Sequence, residues 1–427
     1  MKSSWQRTVL VMFLAQLLAS LGFSTIFPFL PHYVEELGAS SSGSTVFWVA
    51  MVFSVQAVAM MIASPIWGAV ADRYGRKPMV VRALIGGAIL VGLMGLARSV
   101  EELTVLRLVQ GLVTGVVSAA SSMVVAVVPR DRLGYAMGMM QTGQWAGISV
   151  GPILGGLLEY FVGMRMSFLV TGVLLLIGGL LVVFLVKEEF TPPVGGGNGM
   201  SRMFGQWGSV IRSPGVALVY SLRLTAWLGR TMLMPYLPLF VGVLMVNSEL
   251  TGIYTGIAIG SASLAGTLSG VVLGRLGDKV GHKRVLVTSA IVTAVFYFPM
   301  AFVTNIWQLI ALNVVVGFAV GGVLPAISAM LARFTDPKLA GSVYGLDNSV
   351  GAAARAVSPA VAGLIITATS LPGTENYRAI FIATALLFGV TAALAAARLP
   401  GDSRRLPLEP LPVAPPTADS GDGSTER

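Results

Sequence analysis

The sequence predicts an all-α integral membrane protein, with twelve transmembrane helices in two pseudo-symmetric six-helix bundles. Three observations predict this fold: a membrane composition, apolar runs long enough to span a bilayer, and an internal repeat. Of the 427 residues, 55% are hydrophobic and only 11% are charged, and the mean hydropathy is +0.81. Because a soluble domain carries about 25% charged residues, we expect this chain to lie in a membrane.

The composition also excludes several kinds of site. Without cysteine there can be no disulfide, thiolate metal ligand or cysteine nucleophile, and the two histidines lack metal-ligand spacing. A net charge of +9 could indicate a nucleic-acid binder, but the basic residues fall between apolar runs and form no patch. We therefore expect no metal, no cofactor and no nucleic-acid partner. A membrane enzyme or receptor would need a catalytic constellation or a large soluble domain, and the sequence indicates neither.

Apolar runs separated by charged, glycine-bearing or proline-bearing turns predict twelve helices, since a span needs about 20 apolar residues. The N-terminus begins like a signal peptide, but its apolar run continues to Pro31 without a small-residue cleavage site, which predicts a first span. The runs lie near 8–31, 45–67, 78–98, 102–128, 134–159, 165–186, 214–241, 250–272, 285–304, 306–332, 339–366 and 378–398.

The longest polar interruption divides the chain into two bundles. It contains Pro192-Pro193 and three consecutive glycines, which predicts a flexible cytoplasmic linker. The predicted domains are an N-terminal bundle at 1–186, the linker at 187–213, a C-terminal bundle at 214–398 and a tail at 399–427. The tail is rich in Pro, Asp, Ser and Gly, and we expect it to be disordered because it has little apolar surface to bury.

Lysine and arginine predict the orientation. Of the 28 such residues, three lie on one set of connections (Arg98, Arg165 and Arg378) and four lie within spans, while the rest lie on the other connections and the termini. Positive charges are retained in the cytoplasm. We therefore predict a multi-pass protein of the bacterial inner membrane with both termini in the cytoplasm, which requires an even number of spans.

The two halves match at a nearly constant offset of 206 or 207 residues. Pro28-Phe29-Leu30-Pro31 recurs as Pro235-Tyr236-Leu237-Pro238. The other matches are Gly68, Asp72, Gly75 and Lys77 with Gly274, Asp278, Gly281 and Lys283; Arg107, Gly111 and Gly115 with Asn313, Gly317 and Gly321; and Gly134, Gly138, Pro152 and Gly156 with Gly341, Gly345, Pro359 and Gly363. Parallel repeats place a binding site at their interface, which rocking exposes to each side in turn.

The loop after the second span is a candidate conformational latch. Glycine at its ends permits close helix contact and a tight turn, an aspartate can interact with a helix N-terminus, and basic residues can stay in water or pair with acids. An ordinary positive-inside loop is the alternative, but the second copy of the loop favours a paired latch. The predicted latch residues are Gly68, Asp72, Arg73, Gly75, Arg76 and Lys77, with Gly274 and Asp278 in the second copy.

The fifth span carries a second motif. Glycines at 143, 147, 151 and 155 are four residues apart and form a smooth groove on one helix face, while Pro152 bends the helix. A generic packing seam of small residues is the alternative reading. The motif comprises Gly143, Gly147, Gly151, Pro152, Gly155 and Gly156.

These motifs resemble those of the major facilitator superfamily. The loop matches G-x-x-x-D-R-x-G-R-[RK], and the fifth span resembles the motif of the superfamily's antiporters, which favours export. Leu21-Gly22, Pro28 and Pro31, with Ser64-Pro-Ile-Trp-Gly68, are similar to the twelve-span drug–proton antiporter group and to its MdtG-like multidrug exporters. The resemblance implies that the loop holds the halves together in the outward-facing state, with Asp72 interacting with the eleventh helix.

Ionisable residues within spans are costly unless paired or hydrated, so they are functional candidates. Arg107 resembles the fourth-span arginine of the superfamily, and this resemblance implies a role in proton transfer. The alternative is that its side chain extends outward to water. Arg223 and Asp347 lie at similar depths and could pair, either for function or as a purely structural salt bridge. The predicted proton-coupling residues are Asp347 and Arg107, and the predicted cavity residues are Tyr220, Arg223, Trp227, Arg230 and Arg355.

The leading prediction is a proton-coupled exporter of amphipathic small molecules, driven by the proton gradient and active as a monomer among membrane lipids. Unlike several proton-coupled relatives, this chain has no carboxylate deep in its first or fourth span, so Asp347 is the candidate proton carrier. The alternative is a related transporter of an anionic metabolite or lipid, in either direction, because the arginines within the spans outnumber the acids and one fold serves many cargoes.

Overall fold

The computed structural model describes residues 4–38, 44–188, 215–245, 248–334, 340–371 and 374–400. The predicted linker at 187–213 and the predicted tail at 399–427 lie outside these residues, except for the first two positions of each. The side chain of Asp72 also lies outside the described part.

The described residues form helices joined by short turns, without a strand among them. The spans, numbered along the chain, are Ser4–Thr25 with Leu30–Glu36 (first), Thr45–Tyr74 (second), Lys77–Met94 (third), Val100–Val113 with Val116–Val127 (fourth), Leu133–Leu185 (fifth and sixth), Val216–Met232 with Leu237–Leu244 (seventh), Thr251–Val280 (eighth), His282–Met300 (ninth), Ile306–Phe334 (tenth), Ala340–Thr369 (eleventh) and Arg378–Arg398 (twelfth).

The described chain has twelve spans because the longest helix, Leu133–Leu185, consists of two spans. Ten helices of the described chain are long and apolar enough to cross a membrane, and the bent pair of the seventh span adds an eleventh. Leu133–Leu185 has 53 residues, which at 1.5 Å per residue is about 80 Å, far more than the roughly 30 Å core of a bilayer. Its backbone leaves helical geometry at Gly163 (φ 79°, ψ 164°), so the fifth span ends there and the sixth begins.

Three spans predicted as continuous helices are broken. The first is interrupted over residues 26–29 and the seventh over 233–236, at Pro28 and Pro235, because proline lacks a backbone N–H and clashes with the preceding turn. The fourth breaks at Gly115, which has φ 136°. The tenth span remains continuous, so the repeat is not an exact copy here.

The repeat predicted from the sequence is present in the packing of each half. Arg165, at the start of the sixth span, donates to the carbonyl oxygens of Gly95 and Ala97 at the end of the third. Arg378, at the start of the twelfth span, donates to the carbonyls of Ala301 and Val303, which lie 206 residues after Gly95 and Ala97. The same backbone arrangement is therefore stabilised by an equivalent arginine in both halves.

Helix contacts within the halves repeat as well. Gly111 lies against the carbonyl oxygen of Gln56 and leaves no room for a Cβ atom, so the fourth span packs tightly on the second. Gly317 lies in the same way against the carbonyl of Ala262, its counterpart at an offset of 206, and joins the tenth span to the eighth. The halves are thus two copies of one bundle.

The two halves meet through two seams. The fifth span packs on the eighth, where Gly256 lies against Pro152 and Gly260 against Ser149. The second span packs on the eleventh, where Tyr236 donates to the carbonyl of Val46 at 3.1 Å. All of these residues lie toward the side opposite the basic loops, hereafter the opposite side, whereas the side of the Arg73–Lys77 loop is the basic side.

The basic side differs. Near the basic ends of the second, fifth and eighth spans, a Cβ atom added to four glycines would meet nothing within 4 Å. These glycines are Gly68, Gly134, Gly138 and Gly274. Within the described residues, the contacts between the halves named above lie on the opposite side, whereas these four glycines on the basic side meet no neighbour.

Candidate functional site

The predicted pair of Arg223 and Asp347 is present in the C-terminal half. The Nη2 atom of Arg223 donates to the Oδ2 atom of Asp347 at 2.5 Å, and the residues are only 8% and 7% exposed. The Nη1 atom of Arg223 donates to the carbonyl of Leu324 and to the hydroxyl of Ser328, both at 3.1 Å. The pair therefore joins the seventh, tenth and eleventh spans.

This ion pair is incompletely satisfied. The Nε atom of Arg223 and the Oδ1 atom of Asp347 are buried without a protein hydrogen-bond partner. Tyr220, one turn away, donates instead to the carbonyl of Val343 at 2.9 Å. A buried ion pair with unused donors and acceptors is weaker than a fully satisfied one. Its chemistry therefore allows Arg223 to exchange Asp347 for another anion, and Asp347 to take a proton when it does.

Two further predicted residues, Arg230 and Arg355, have no acid partner. Neither guanidinium forms an ion pair with a carboxylate of the described chain. Arg230 lies 5.8 Å from the ring centre of Trp227, and Arg355 lies 5.1 Å from the same ring. Arg230 also lies 5.4 Å from the ring of Trp145, in the opposite half. Two positive charges and two indoles thus meet between the halves.

Arg107 does not extend outward to water, contrary to one of the two readings of the sequence. Its side chain is 3% exposed, and its Nη1 atom donates to the amide oxygens of Gln56 at 3.3 Å and Gln110 at 3.1 Å. Its Nε and Nη2 atoms are buried without a protein partner. The guanidinium is held by neutral amides and forms no ion pair with a carboxylate of the described residues. Its predicted role in proton transfer stays a prediction.

The glycine motif of the fifth span has two distinct faces. Gly143, Gly147, Gly151 and Gly155 all face the first span; a Cβ on Gly147 would lie 2.6 Å from the backbone nitrogen of Leu21. Ser24 donates to the carbonyl of Gly147 at 2.9 Å and joins the same two helices. Pro152 and Gly156 instead face the eighth span of the other half. The motif therefore builds both a seam within one half and the seam between the halves.

The two latch loops are tied to the last span of their own halves. Gly75 and Gly281 end the second and eighth spans with φ of 96° and 102°, a conformation that favours glycine. Lys77 donates to the carbonyl of Val183 at 2.9 Å, and Lys283 donates to the carbonyl of Leu399 at 2.6 Å. The loops are thus equivalent, as the repeat predicts.

Further contacts of the latch residues are local. The backbone nitrogens of Arg76 and Lys77 each donate to the carboxylate of Glu188 at 2.8 Å. Arg73 lies over the ring of Tyr74, and Asp278 lies 3.3 Å from His282. The contact expected between Asp72 and the eleventh helix involves a side chain outside the described part. The latch role of these residues stays a prediction.

Four of these groups were not predicted from the sequence: Gln56, Trp145, Glu188 and Ser328. Gln56 could have been found as a polar residue in the middle of an apolar span. Trp145 lies seven residues before Pro152 and therefore on the same helix face. For Glu188 and Ser328 the sequence holds no comparable signal. Two cavities of about 320 and 530 Å³ lie elsewhere, between the ninth and twelfth spans and beside the third and fourth.

Comparison with known proteins identifies the family. The family model described as Major Facilitator Superfamily matches residues 12–259 and again 219–418, so two matches cover most of the chain. The multidrug resistance protein MdtG of Serratia proteamaculans is 34% identical over 387 residues, which cover 90% of this chain and 92% of the relative. MdtG of Citrobacter koseri is 32% identical over 382 residues, with 90% and 92% covered.

Solved structures agree on the fold. A bacterial homologue of the human lysosomal transporter Spinster, in an inward-facing and unoccupied conformation, superimposes with a TM-score of 0.74 at 16% identity, covering 92% of this chain and 97% of that one. The human organic anion transporter MFSD10 superimposes with a TM-score of 0.64 at 18% identity, covering 92% and 99%. With its duplicated six-helix halves and these matches, the chain belongs to the major facilitator superfamily.

Proposed function

We propose that this protein is a proton-coupled secondary exporter of amphipathic small molecules that works by alternating access. The single observation that carries the mechanism is the asymmetry of the described contacts between the halves, which join them on the opposite side and leave open space at the glycines of the basic side. Relatives about one third identical over nearly the whole chain are named multidrug resistance proteins. Their similarity supports drug-like cargo for this chain.

The basic side is the cytoplasmic side, because positively charged loops are retained in the cytoplasm. The protein then lies in the bacterial inner membrane with both termini in the cytoplasm. The arrangement described above is the inward-facing state, in which cargo enters from the cytoplasm or the inner leaflet. Six spans of each half pack as a complete bundle, so one chain supplies both halves of the cleft and the working unit is a monomer.

The proton is carried by Asp347. In the inward-facing state Asp347 is ionised and held by Arg223, so its proton has been released to the cytoplasm. Cargo that enters the cleft competes for Arg223 and weakens the ion pair. Once the halves rock and the site faces outward, cargo leaves and Asp347 takes a proton from outside. A neutral Asp347 no longer holds Arg223, and the return to the inward-facing state restores the ion pair and releases the proton.

Arg107 is the buried arginine of the N-terminal half, as Arg223 is of the C-terminal half. Its guanidinium is buried at the contact of the second and fourth spans and is held by Gln56 and Gln110 rather than by an acid. An unneutralised charge there raises the energy of a second positive charge nearby. Arg107 therefore favours a negative group beside it, and its proposed part in proton transfer is supported by its resemblance to the superfamily's fourth-span arginine.

A second candidate function is transport of an anionic metabolite or lipid. It is favoured by Arg230 and Arg355, which have no acid partner in the described chain. The fifth-span motif supports export over uptake, because it resembles the motif of the superfamily's antiporters.

Flux measurements in proteoliposomes test the proposal. An imposed pH gradient should drive accumulation of amphipathic compounds against their own gradient, with cationic, neutral and anionic compounds compared in parallel. Empty liposomes and liposomes without a pH gradient are the controls. Absence of flux for every compound would contradict a transport function, and flux that ignores the pH gradient would contradict proton coupling.

A further inference from the structure

Trp145 lies within the glycine motif of the fifth span and contacts Arg230 of the other half. It lies in the fifth span, and its indole ring lies 5.4 Å from the guanidinium carbon of Arg230 in the seventh. Among the cation–aromatic contacts of the described residues, this is the one that joins the two halves. The glycine motif alone does not account for a tryptophan at this position.

The register of the fifth span explains where Trp145 lies. Ser149, Pro152 and Gly156 contact the eighth span, and Trp145 is four, seven and eleven residues before them, on the same helix face. Trp145 is therefore the innermost member of the seal between the halves. Below it the glycines at 134 and 138 face open space, so its indole lies where the seal ends and the cleft begins.

The charge at this place is not neutralised by the protein. Arg230 and Arg355 lack a carboxylate partner in the described chain, and both instead lie over aromatic rings. A cation gains less from lying over an aromatic face than a charge costs within a membrane. A bound anion would supply the missing stabilisation.

The two indole rings indicate the shape of the uncharged part of the ligand. Trp145, Trp227, Arg230 and Arg355 are all half-buried, so part of each side chain remains open to a ligand. Flat aromatic rings stack on indole faces and on guanidinium planes. The group that satisfies both features is a planar aromatic ring that carries a negative charge.

We propose that Trp145 and Arg230 form an inter-half clamp for an aromatic organic anion, in which the ring packs on Trp145 and the anionic group binds Arg230 and Arg355. This rests on the proposed transport function and names the class of cargo that it favours. Trp145 and Arg230 belong to different halves, so rocking changes their separation. The clamp therefore binds cargo with different affinities in the two states, which is the difference that a transporter needs in order to couple binding to a conformational change.

Matched probes separate the two features of the clamp. We choose 1-pyrenesulfonate, 1-pyrenemethylammonium and 1-octanesulfonate, which provide the same ring with opposite charges and an anion without a ring. Binding to the purified full-length protein in nanodiscs is measured by calorimetry. Pyrenesulfonate should bind at least about 10-fold more tightly than pyrenemethylammonium, since hydrogen bonds to charged groups are strong enough to change affinity by about that factor or more.

Variants then test Trp145 itself. Trp145→Leu should weaken pyrenesulfonate binding about 5- to 10-fold, as expected for loss of an aromatic contact, and should leave octanesulfonate binding nearly unchanged. Trp145→Phe should restore most of the affinity, and it replaces the leucine variant if that variant does not fold. Trp307→Leu is the control, because this exposed tryptophan packs on Tyr254 of the same half.

The outcomes are distinct from those of the transport test. Equal affinity of parent and Trp145→Leu for pyrenesulfonate, or tighter binding of the cationic pyrene, overturns the clamp. Equal losses for pyrenesulfonate and octanesulfonate also overturn it, since they would assign Trp145 a purely structural role. If other compounds are transported under a pH gradient while these binding results fail, the proposed function stands without the clamp.

Discussion

A single methyl group at Gly256 should shift the protein from the inward-facing to the outward-facing state. Gly256 lies in the seam between the fifth and eighth spans, and a Cβ atom there would lie 3.1 Å from the Cα atom of Ile153 and closer still to the carbonyl oxygen of Pro152. Both neighbours are backbone atoms, which cannot move aside as a flexible side chain can. The methyl group therefore fits only if the two helices, and with them the halves, separate on the opposite side.

The size of the shift follows from the cost of overpacking. One extra methyl group in a well-packed contact costs about 1–3 kcal/mol. The strain exists only while the seam is closed, so it acts on the ratio of the two states. A cost of about 2 kcal/mol changes that ratio roughly 30-fold, because 1.36 kcal/mol corresponds to a factor of ten.

Spin-label distances measure the shift directly, and the absence of native cysteine makes labelling specific. Phe161→Cys with Leu371→Cys reports on the opposite side, where the two positions are 73% and 74% exposed. Tyr74→Cys with Val280→Cys reports on the basic side. In Gly256→Ala the first distance should lengthen and the second should shorten. Gly389→Ala is the matched control, since its Cβ would meet nothing within 4 Å. Unchanged distances in a folded Gly256→Ala would refute the assignment of this seam as the outer seal.

Two further predictions concern the ends of the halves. Burial raises the pKa of Glu375, which lies in the turn before the twelfth span and interacts electrostatically with Glu35 of the other half. A raised pKa means that the closed seam favours the neutral form of this carboxyl group. The closed seam should therefore be stabilised at low pH and weaken as the pH rises through that pKa. In Glu375→Gln the pH dependence of the Phe161–Leu371 distance should flatten, and a dependence identical to the parent's would count against it. Glu188→Ala removes the carboxylate that accepts hydrogen bonds from the backbone N–H groups of Arg76 and Lys77. Hydrogen exchange at these two amides should accelerate by about 10- to 100-fold, as expected for charge-assisted bonds of about 1.5–3 kcal/mol. Exchange at the parent's rate would show that Glu188 does not hold the loop.

Much of the fold could be predicted from the sequence because it depends on periodic features. Apolar runs predicted the spans, and the constant offset of residues such as Gly75 and Gly281 predicted two equivalent halves. The breaks in the first, fourth and seventh spans were not predicted. Proline and glycine occur within continuous helices too, as Pro152 and Pro325 do here, so only the surrounding packing decides whether such a residue interrupts the helix.

The site was predicted in part for a similar reason. Depth along a helix indicated that Arg223 and Asp347 could meet, because helical rise is regular. Whether a side chain faces its own half or the other half depends on the rotation of each helix about its axis. That rotation cannot be predicted from the sequence of a single span. Thus the sequence did not distinguish the face of Gly147 from that of Gly156, and it did not indicate that Trp145, two residues before Gly147, faces the other half.

The central claim is that Asp347 carries the proton, and the most direct measurement compares two transport modes of one variant. Asp347→Asn cannot exchange a proton but retains a neutral side chain of nearly the same shape. In proteoliposomes with equal pH on both sides, this variant should still exchange labelled cargo for unlabelled cargo across the membrane. With an imposed pH gradient it should accumulate no cargo, whereas the parent protein should. Accumulation by Asp347→Asn equal to that of the parent would contradict the account.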